Sequence, residues 1–240
     1  KTYIIAEAGL NHNGSLKLAK ELVDEAKRVN SDAVKFQTFK SNSRISSKVK
    51  AVKYAETITG LEETLDEMFN RLAMPFEDQK KLFDYAKKVG IEIFSTPFDF
   101  ESVDFLETLG VSLYKIASFD LVNTPLLMDI VQQKRPVIIS RGMANMEEID
   151  IAMNILKNIP TVLLHCISAY PVPNHSSLNL STIAALKERY HSLIGYSDHT
   201  LDIEASQFAV ACGAKVIEKH FTLSQSMEGP DHLISSEPKQ

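Results

Sequence analysis

Cysteine is scarce in this chain of 240 residues: there are two, Cys166 and Cys212. Two thiols in apolar surroundings make no disulfide framework, and they lack zinc-finger spacing, so both read as buried, reduced side chains. Long apolar runs are missing too. No run approaches the ~18 residues that a membrane helix needs. No basic stretch with a small-residue cleavage site opens the chain, so a cytoplasmic protein is expected. Neither sign of charge dominates: 26 basic residues against 31 acidic ones give −5. That balance speaks against a general nucleic-acid binder and leaves room for a local basic pocket. Low-complexity tracts and visible repeats are absent. What remains is an ordinary globular composition, 44% hydrophobic and 24% charged. The length suits a single α/β barrel, which buries a core without staples.

Short apolar runs alternate with amphipathic segments. The runs cover residues 3–8, 33–37, 91–95, 113–117, 137–140, 161–166, 193–195 and 215–218. Each is too short for a typical helix and most are rich in Val and Ile, so each reads as a buried strand. Residues 16–29, 79–89, 101–109, 124–133, 146–158, 180–190 and 202–211 carry apolar side chains at helical spacing. Gly90, Gly110 and Gly213 each follow a helix, and Thr124-Pro125 reads as an N-cap with proline at the first helical position. Strict alternation means parallel strands joined by crossover helices. Eight strands fit a (β/α)8 TIM barrel better than an open doubly wound sheet. Residues 1–240 are therefore expected to form one barrel, cut short where its last helix should begin. Residues 39–75 exceed a simple strand-to-helix loop; they predict an extra helix near 62–72 and a lid or oligomer contact.

Chemistry in such barrels sits at the C-terminal ends of the strands. Those ends hold Glu7, Lys35 with Gln37, Thr96 with Phe98, Lys115 with Ser118, Ser140, Ser168 with Tyr170, Ser197 with His199, and Glu218 with His220. Lys35 and Lys115, with the hydroxyls of Ser118, Ser140 and Ser197, suit an anion such as phosphate. His199 and His220 end neighbouring strands; two imidazoles with open positions suit a divalent metal that binds substrate. Glu7 follows an apolar run. A buried carboxylate there needs either a partner, such as Lys35, or a chemical role in orienting sugar hydroxyls, holding a water or moving a proton. His165 reads as buried. His12, His175, His191 and His232 read as loop or surface residues, with His12 the least certain.

At these residues the chain resembles the sialic acid synthase family, the phosphoenolpyruvate-dependent nonulosonic acid synthases. The resemblance rests on "IIAEAGLNHNGSLKLAKELVDEA", "DAVKFQTFK", "IFSTPFD", "YKIASFD", "VIISRGMA", "LLHCISAYPVP", "IGYSDHT", "VIEKHFTL" and "GPDHLISSEP", in family order from residue 4 to 238. It implies condensation of phosphoenolpyruvate with an open-chain N-acetylated amino sugar and water, giving a nine-carbon acid and phosphate. It implies a phosphoenolpyruvate site at Lys35, Thr96, Lys115, Ser118, Ser140 and Ser197, and sugar-side residues at Glu7, Gln37, Phe98, Tyr170 and Asp231. It also implies a divalent metal at His199 and His220, manganese by preference, with magnesium or cobalt as substitutes. Ser168 stands where an asparagine is common, and so offers a shorter phosphate contact. Arg141 replaces a common threonine and is expected to add a phosphate contact or face a partner. Phe119-Asp120 replaces a Gly-Glu and is expected to reshape the sugar pocket. Family members continue into a small antifreeze-like domain that crosses a homodimer and lends an arginine to the partner's sugar site; none follows here, so weaker sugar binding and a less secure dimer are expected.

Within the family the acceptor is N-acetylmannosamine or a 6-deoxy-2,4-diacetamido hexose, the latter giving legionaminic acid. "GPDH" and "SSEP" speak against a pseudaminic acid synthase, whereas "KIASFD" and "CISAYP" lean towards one. Outside it stand a Schiff-base aldolase using Lys115 or Lys35 and a non-catalytic phosphate-binding barrel.

Overall fold

A computed structural model describes residues 1–40 and 64–240. The strands are β1 Tyr3–Gly9, β2 Ala33–Thr38, β3 Glu92–Pro97, β4 Tyr114–Ile116, β5 Val137–Ser140, β6 Thr161–Cys166, β7 Leu193–Asp198 and β8 Val216–His220. They close in sequence order into one barrel, parallel at the pairings β2–β3 and β4 through β8. The expected (β/α)8 barrel is thus the fold. Among the described residues the helices are α1 Leu16–Arg28, α2 Leu65–Leu72, α3 Phe76–Val89, α4 Phe100–Leu109, α5 Thr124–Gln132, α6 Met146–Ile155, α7 Thr182–Tyr190 and α8 Glu204–Ala211. None is long and apolar enough to cross a membrane.

The chain divides into two compact units, residues 1–5 with 111–219 and residues 6–110 with 220–240. In the first, Tyr114, Ile116, Ile139, Leu163, Leu164 and Ile194 are buried strand residues, and α5 to α8 contribute Leu127, Ile130, Ile149, Leu186 and Ala205. β7 passes very close to its neighbours. A Cβ on Gly195 would lie 2.5 Å from both Leu164 Cδ2 and the Val216 carbonyl oxygen, so a side chain there would force the sheet apart. In the second unit, α1 buries Ala19, Leu22, Val23 and Ala26, and α3 buries Leu82, Phe83 and Ala86. A smaller apolar cluster joins Leu10, Phe39, Met68 and Leu72.

The extra helix exists as α2, started by a capping box between Thr64 and Glu67. Residues 41–63, and with them the expected lid or oligomer contact, lie outside the described residues. Asn123, not Thr124, caps α5: its side-chain oxygen accepts from the Leu126 amide, making Thr124 the first helical residue and Pro125 the second. Gly90 and Gly110 end their helices at φ +76° and +66°, a left-handed turn that glycine adopts without strain. α8 ends on Cys212 instead, one residue before Gly213. Cys166 is buried as expected, but Cys212 is exposed, because the helix end it caps faces outward.

Candidate active site

In the first unit the inward positions of β4 to β8 form a chain of polar side chains. Lys115 is buried, and its Nζ donates to Ser140 Oγ at 2.7 Å and to the Ile116 carbonyl at 3.1 Å. Glu218 Oε1 lies 3.6 Å from that ammonium and accepts from Ser197 Oγ at 3.0 Å. The β7–β8 register sets Ser197 opposite Glu218, so the pairing is built into the sheet. His199 Nδ1 lies 2.8 Å from the Ile167 carbonyl. A carbonyl only accepts, so Nδ1 carries the proton and Nε2 presents its lone pair. Tyr170 donates its hydroxyl to Nε2 at 3.1 Å and stacks on the ring, centroids 4.2 Å apart. Burial pushes the His199 pKa down, which keeps the imidazole neutral.

The turn that carries His199 is fixed by Asp198. Its carboxylate accepts from the Thr200 amide and hydroxyl and from Ser206 Oγ, and it pairs with Lys219 Nζ at 3.1 Å. Ser118 begins a short 3-10 turn, Ser118–Asp120. Its Oγ accepts from the Gly142 amide at 3.1 Å and lies 3.1 Å from Cys166 Sγ. Ser168 is exposed and close by: a Cβ on Gly142 would fall 2.3 Å from its Oγ.

The second unit holds the other group. Glu7 Oε2 pairs with Lys35 Nζ at 2.8 Å, with both side chains only 4% exposed. The ion-pair partner expected for Glu7 is therefore real. Lys35 also donates to Thr96 Oγ1 at 3.0 Å, and Gln37 Nε2 donates to Glu7 Oε1 at 3.4 Å. Phe98 is half-buried and meets Phe39 edge-on at 6.2 Å, leaning on the small apolar cluster. His220 Nδ1 lies 3.9 Å from Asp231 Oδ2. Burial pushes the Asp231 carboxyl up to about 6, against the opposing pull of Lys35.

Several expectations need correction. His12 and His232 are buried rather than at the surface, and burial pushes each imidazole down to about 4. His12 holds the loop after β1 and His232 the loop after β8. His12 Nδ1 accepts from the Gly14 amide, and His232 Nδ1 meets Thr222 Oγ1 at 2.7 Å. Asn11 Nδ2 donates to the Phe221 carbonyl and to Ser235 Oγ, and Asn13 Nδ2 donates to the Glu228 carbonyl. The Arg141 guanidinium donates to His165 Nδ1, 2.9 Å from its nearer nitrogen. The buried His165 in turn donates through Nε2 to the Leu178 carbonyl. Asp120 is buried and accepts from Asn123 Nδ2, so it supports the α5 cap. His175 and His191 are exposed, as expected; His175 pairs with Asp202 at 2.9 Å.

Sequence reasoning left Glu218 out of the site, although a signal was present. In a strand, positions two apart share a face, so an inward His220 carries Glu218 inward with it. The same alternation pairs Cys166 with Leu164. Each unit also holds an imidazole of the kind that a first-row divalent metal takes as ligand. His199 is neutral, with Nδ1 anchored on a carbonyl and Nε2 accepting from Tyr170, and His220 has the Asp231 carboxylate beside it.

The chain is 45% identical to the N,N'-diacetyllegionaminic acid synthase of Campylobacter jejuni, a match over 100% of this chain and 73% of that protein. It is 43% identical to the Legionella pneumophila protein of the same name, over 99% of this chain and 68% of the relative. The crystal structure of N-acetylneuraminic acid (sialic acid) synthetase from Leptospira borgpetersenii, in complex with citrate, superposes with a TM-score of 0.87 at 39% identity. That match covers 99% of this chain and 79% of the other. Residues 22–240 match the NeuB family, and the chain belongs to it.

Proposed function

We propose that the chain condenses phosphoenolpyruvate with an open-chain N-acetylated amino sugar and water, giving a nine-carbon sialic-type acid and inorganic phosphate. The observation that carries this reading is the buried Lys115 ammonium seated on the Ser140 hydroxyl. A buried lysine held by neutral acceptors and one carboxylate is prepared for an anion. Lys35 with Thr96 repeats the pairing.

In this reading Lys115, Ser118, Ser140, Ser168 and Ser197, with Lys35 and Thr96, hold the phosphate and carboxylate of phosphoenolpyruvate. Glu7, Gln37, Phe98, Tyr170 and Asp231 hold the sugar. Carbon 3 of phosphoenolpyruvate bonds to the aldehyde carbon, and the aldehyde oxygen takes up a proton. Water adds at carbon 2, and the bond from carbon 2 to the phosphate oxygen breaks. Fixed ammonium groups and hydroxyls stabilise charge on the phosphate without reorganising, so catalysis is positioning and electrostatics. Asp231, poised near pH 6, is the group able to hold or give a proton on the sugar side. His199 and His220 would hold a divalent cation, manganese most simply, which when bound supplies Lewis-acid polarisation of the aldehyde.

The relatives at 45% and 43% identity favour a 6-deoxy-2,4-diacetamido hexose as acceptor, with legionaminic acid as product. Each lysine already faces a carboxylate, which suits a cation that holds an anion better than an amine that attacks a carbonyl. We expect a cytoplasmic enzyme that works as a homodimer. The test is phosphate release from phosphoenolpyruvate with manganese and a panel of N-acetylated hexoses, with a chelator control. Release that requires both sugar and metal, and is fastest with the diacetamido hexose, is expected. Release without sugar, or a borohydride-trapped pyruvate adduct, would overturn the reading.

A further inference from the structure

We propose that Cys166 is a positioning residue for phosphoenolpyruvate: its thiol supports the Ser118 hydroxyl while that hydroxyl donates to the substrate anion. The inference rests on the phosphoenolpyruvate reading of the site. Its basis is the hydrogen-bond inventory of one oxygen. Ser118 Oγ has one proton and two lone pairs. The Gly142 amide occupies one lone pair at 3.1 Å, and Cys166 Sγ stands 3.1 Å away on a fully buried side chain.

That arrangement has two states. With no anion, the Ser118 proton points at the sulfur. With an anion, the proton turns to a ligand oxygen, and the thiol proton turns round to fill the second lone pair. Cys166 thus accepts in one state and donates in the other, so the Ser118 proton has an acceptor in both states and the thiol makes good the serine when its proton turns to the anion. The second state needs a protonated thiol. Burial holds the Cys166 pKa above the ordinary thiol range, outweighing the Ser118 and Gly142 hydrogen bonds and nearby Lys115. A thiolate would also repel the anion.

The space confirms how closely these groups are set. A Cβ on Gly142 would lie 2.3 Å from Ser168 Oγ, 2.7 Å from Cys166 Sγ and 2.9 Å from Ser118 Oγ. Glycine at 142 lets the backbone amide reach Ser118 without a side chain pushing the three groups apart.

A double-mutant cycle on Cys166→Ala and Ser118→Ala tests this, read as the dissociation constant for phosphoenolpyruvate with manganese present and as its KM. Cys166→Ala should weaken binding about three- to tenfold, the span of one supporting hydrogen bond, with kcat changed much less. In the Ser118→Ala background the same substitution should cost nothing further. Cys166→Ser keeps a donor and should stay within about twofold of the unmutated protein. Equal losses from Cys166→Ala in both backgrounds would overturn the proposal, because the thiol would then act through packing. Should the alanine variant fail to fold, the serine variant decides: binding as weak as that of Ser118→Ala overturns it. A parent protein that binds phosphoenolpyruvate but releases no phosphate with any sugar sinks the synthase reading, and the cycle still decides on binding. A parent that does not bind phosphoenolpyruvate sinks both.

Discussion

The Glu7–Lys35 pair is a buried salt bridge, and buried pairs are asymmetric in their energetics. Removing one partner strands a charge in a low dielectric and costs about 3 kcal/mol, whereas replacing both with neutral groups is often close to neutral. Glu7→Gln should therefore lower the melting temperature by roughly 6–10 °C in a chain of this size. The double variant Glu7→Gln/Lys35→Met should regain most of that stability and remain inactive in phosphate release. Calorimetry and the release assay on the same samples check this; a double variant that recovers activity would show the pair to be structural only. His12 gives a pH prediction. Its folded pKa, about 4, lies below the ordinary value of 6.5. Between these values the unfolded chain binds more protons, so stability is full above pH 6.5 and is lost as pH falls towards 4. That shift corresponds to about 3 kcal/mol, and His232, also held at about 4, adds loss over the same window. Urea unfolding of His12→Asn from pH 4 to 7 should show a shallower decline than the unmutated protein. Parallel curves would mean that His12 is not protonated on unfolding.

Among the elements, every apolar run predicted from the sequence became a strand. The differences lie at the ends, and the longest of them, at β7 and β8, share a cause. β7 runs on through Ser197 and Asp198, and β8 through Lys219 and His220, where the hydrophobic pattern had already stopped. The ladder runs on through polar residues there: Ser197 meets Glu218 on one face, and Asp198 pairs with Lys219 on the other. The residues that do the chemistry are thus those a hydrophobicity pattern cuts off. Helix starts shifted for a different reason: caps are decided by side-chain geometry, as at Asn123. α6 shows such a cap in full. Asn145 accepts from the Glu148 amide at 2.9 Å, and Glu148 accepts from the Asn145 amide at 2.8 Å. Asn145→Ala should cost about 1 kcal/mol of unfolding free energy and leave phosphate release unchanged. Chemical denaturation beside the activity assay is the check, and an unchanged midpoint would show that the box contributes little.

For the whole molecule, closure into a barrel was legible from the count and alternation of elements, because parallel strands with crossover helices leave few other arrangements. The lysines, the hydroxyls and His199 were legible because each lies in or just past a strand that the apolar runs marked. Asn11, Asn13 and the buried His232 were harder to see. Their roles depend on contacts with residues up to 224 positions distant, as in the Asn11–Ser235 hydrogen bond, and no local pattern encodes such a distance. The unequal burial of the two cysteines has a practical side. Cys212 offers the one solvent-facing thiol, since Cys166 is enclosed. In aerated buffer two copies can therefore become tethered sulfur to sulfur through α8, and a sizing column would report a pair that owes nothing to assembly. Under reductant that species falls apart while a genuine association persists. The same thiol is a ready anchor for a fluorescent or spin label placed away from the substrate groups.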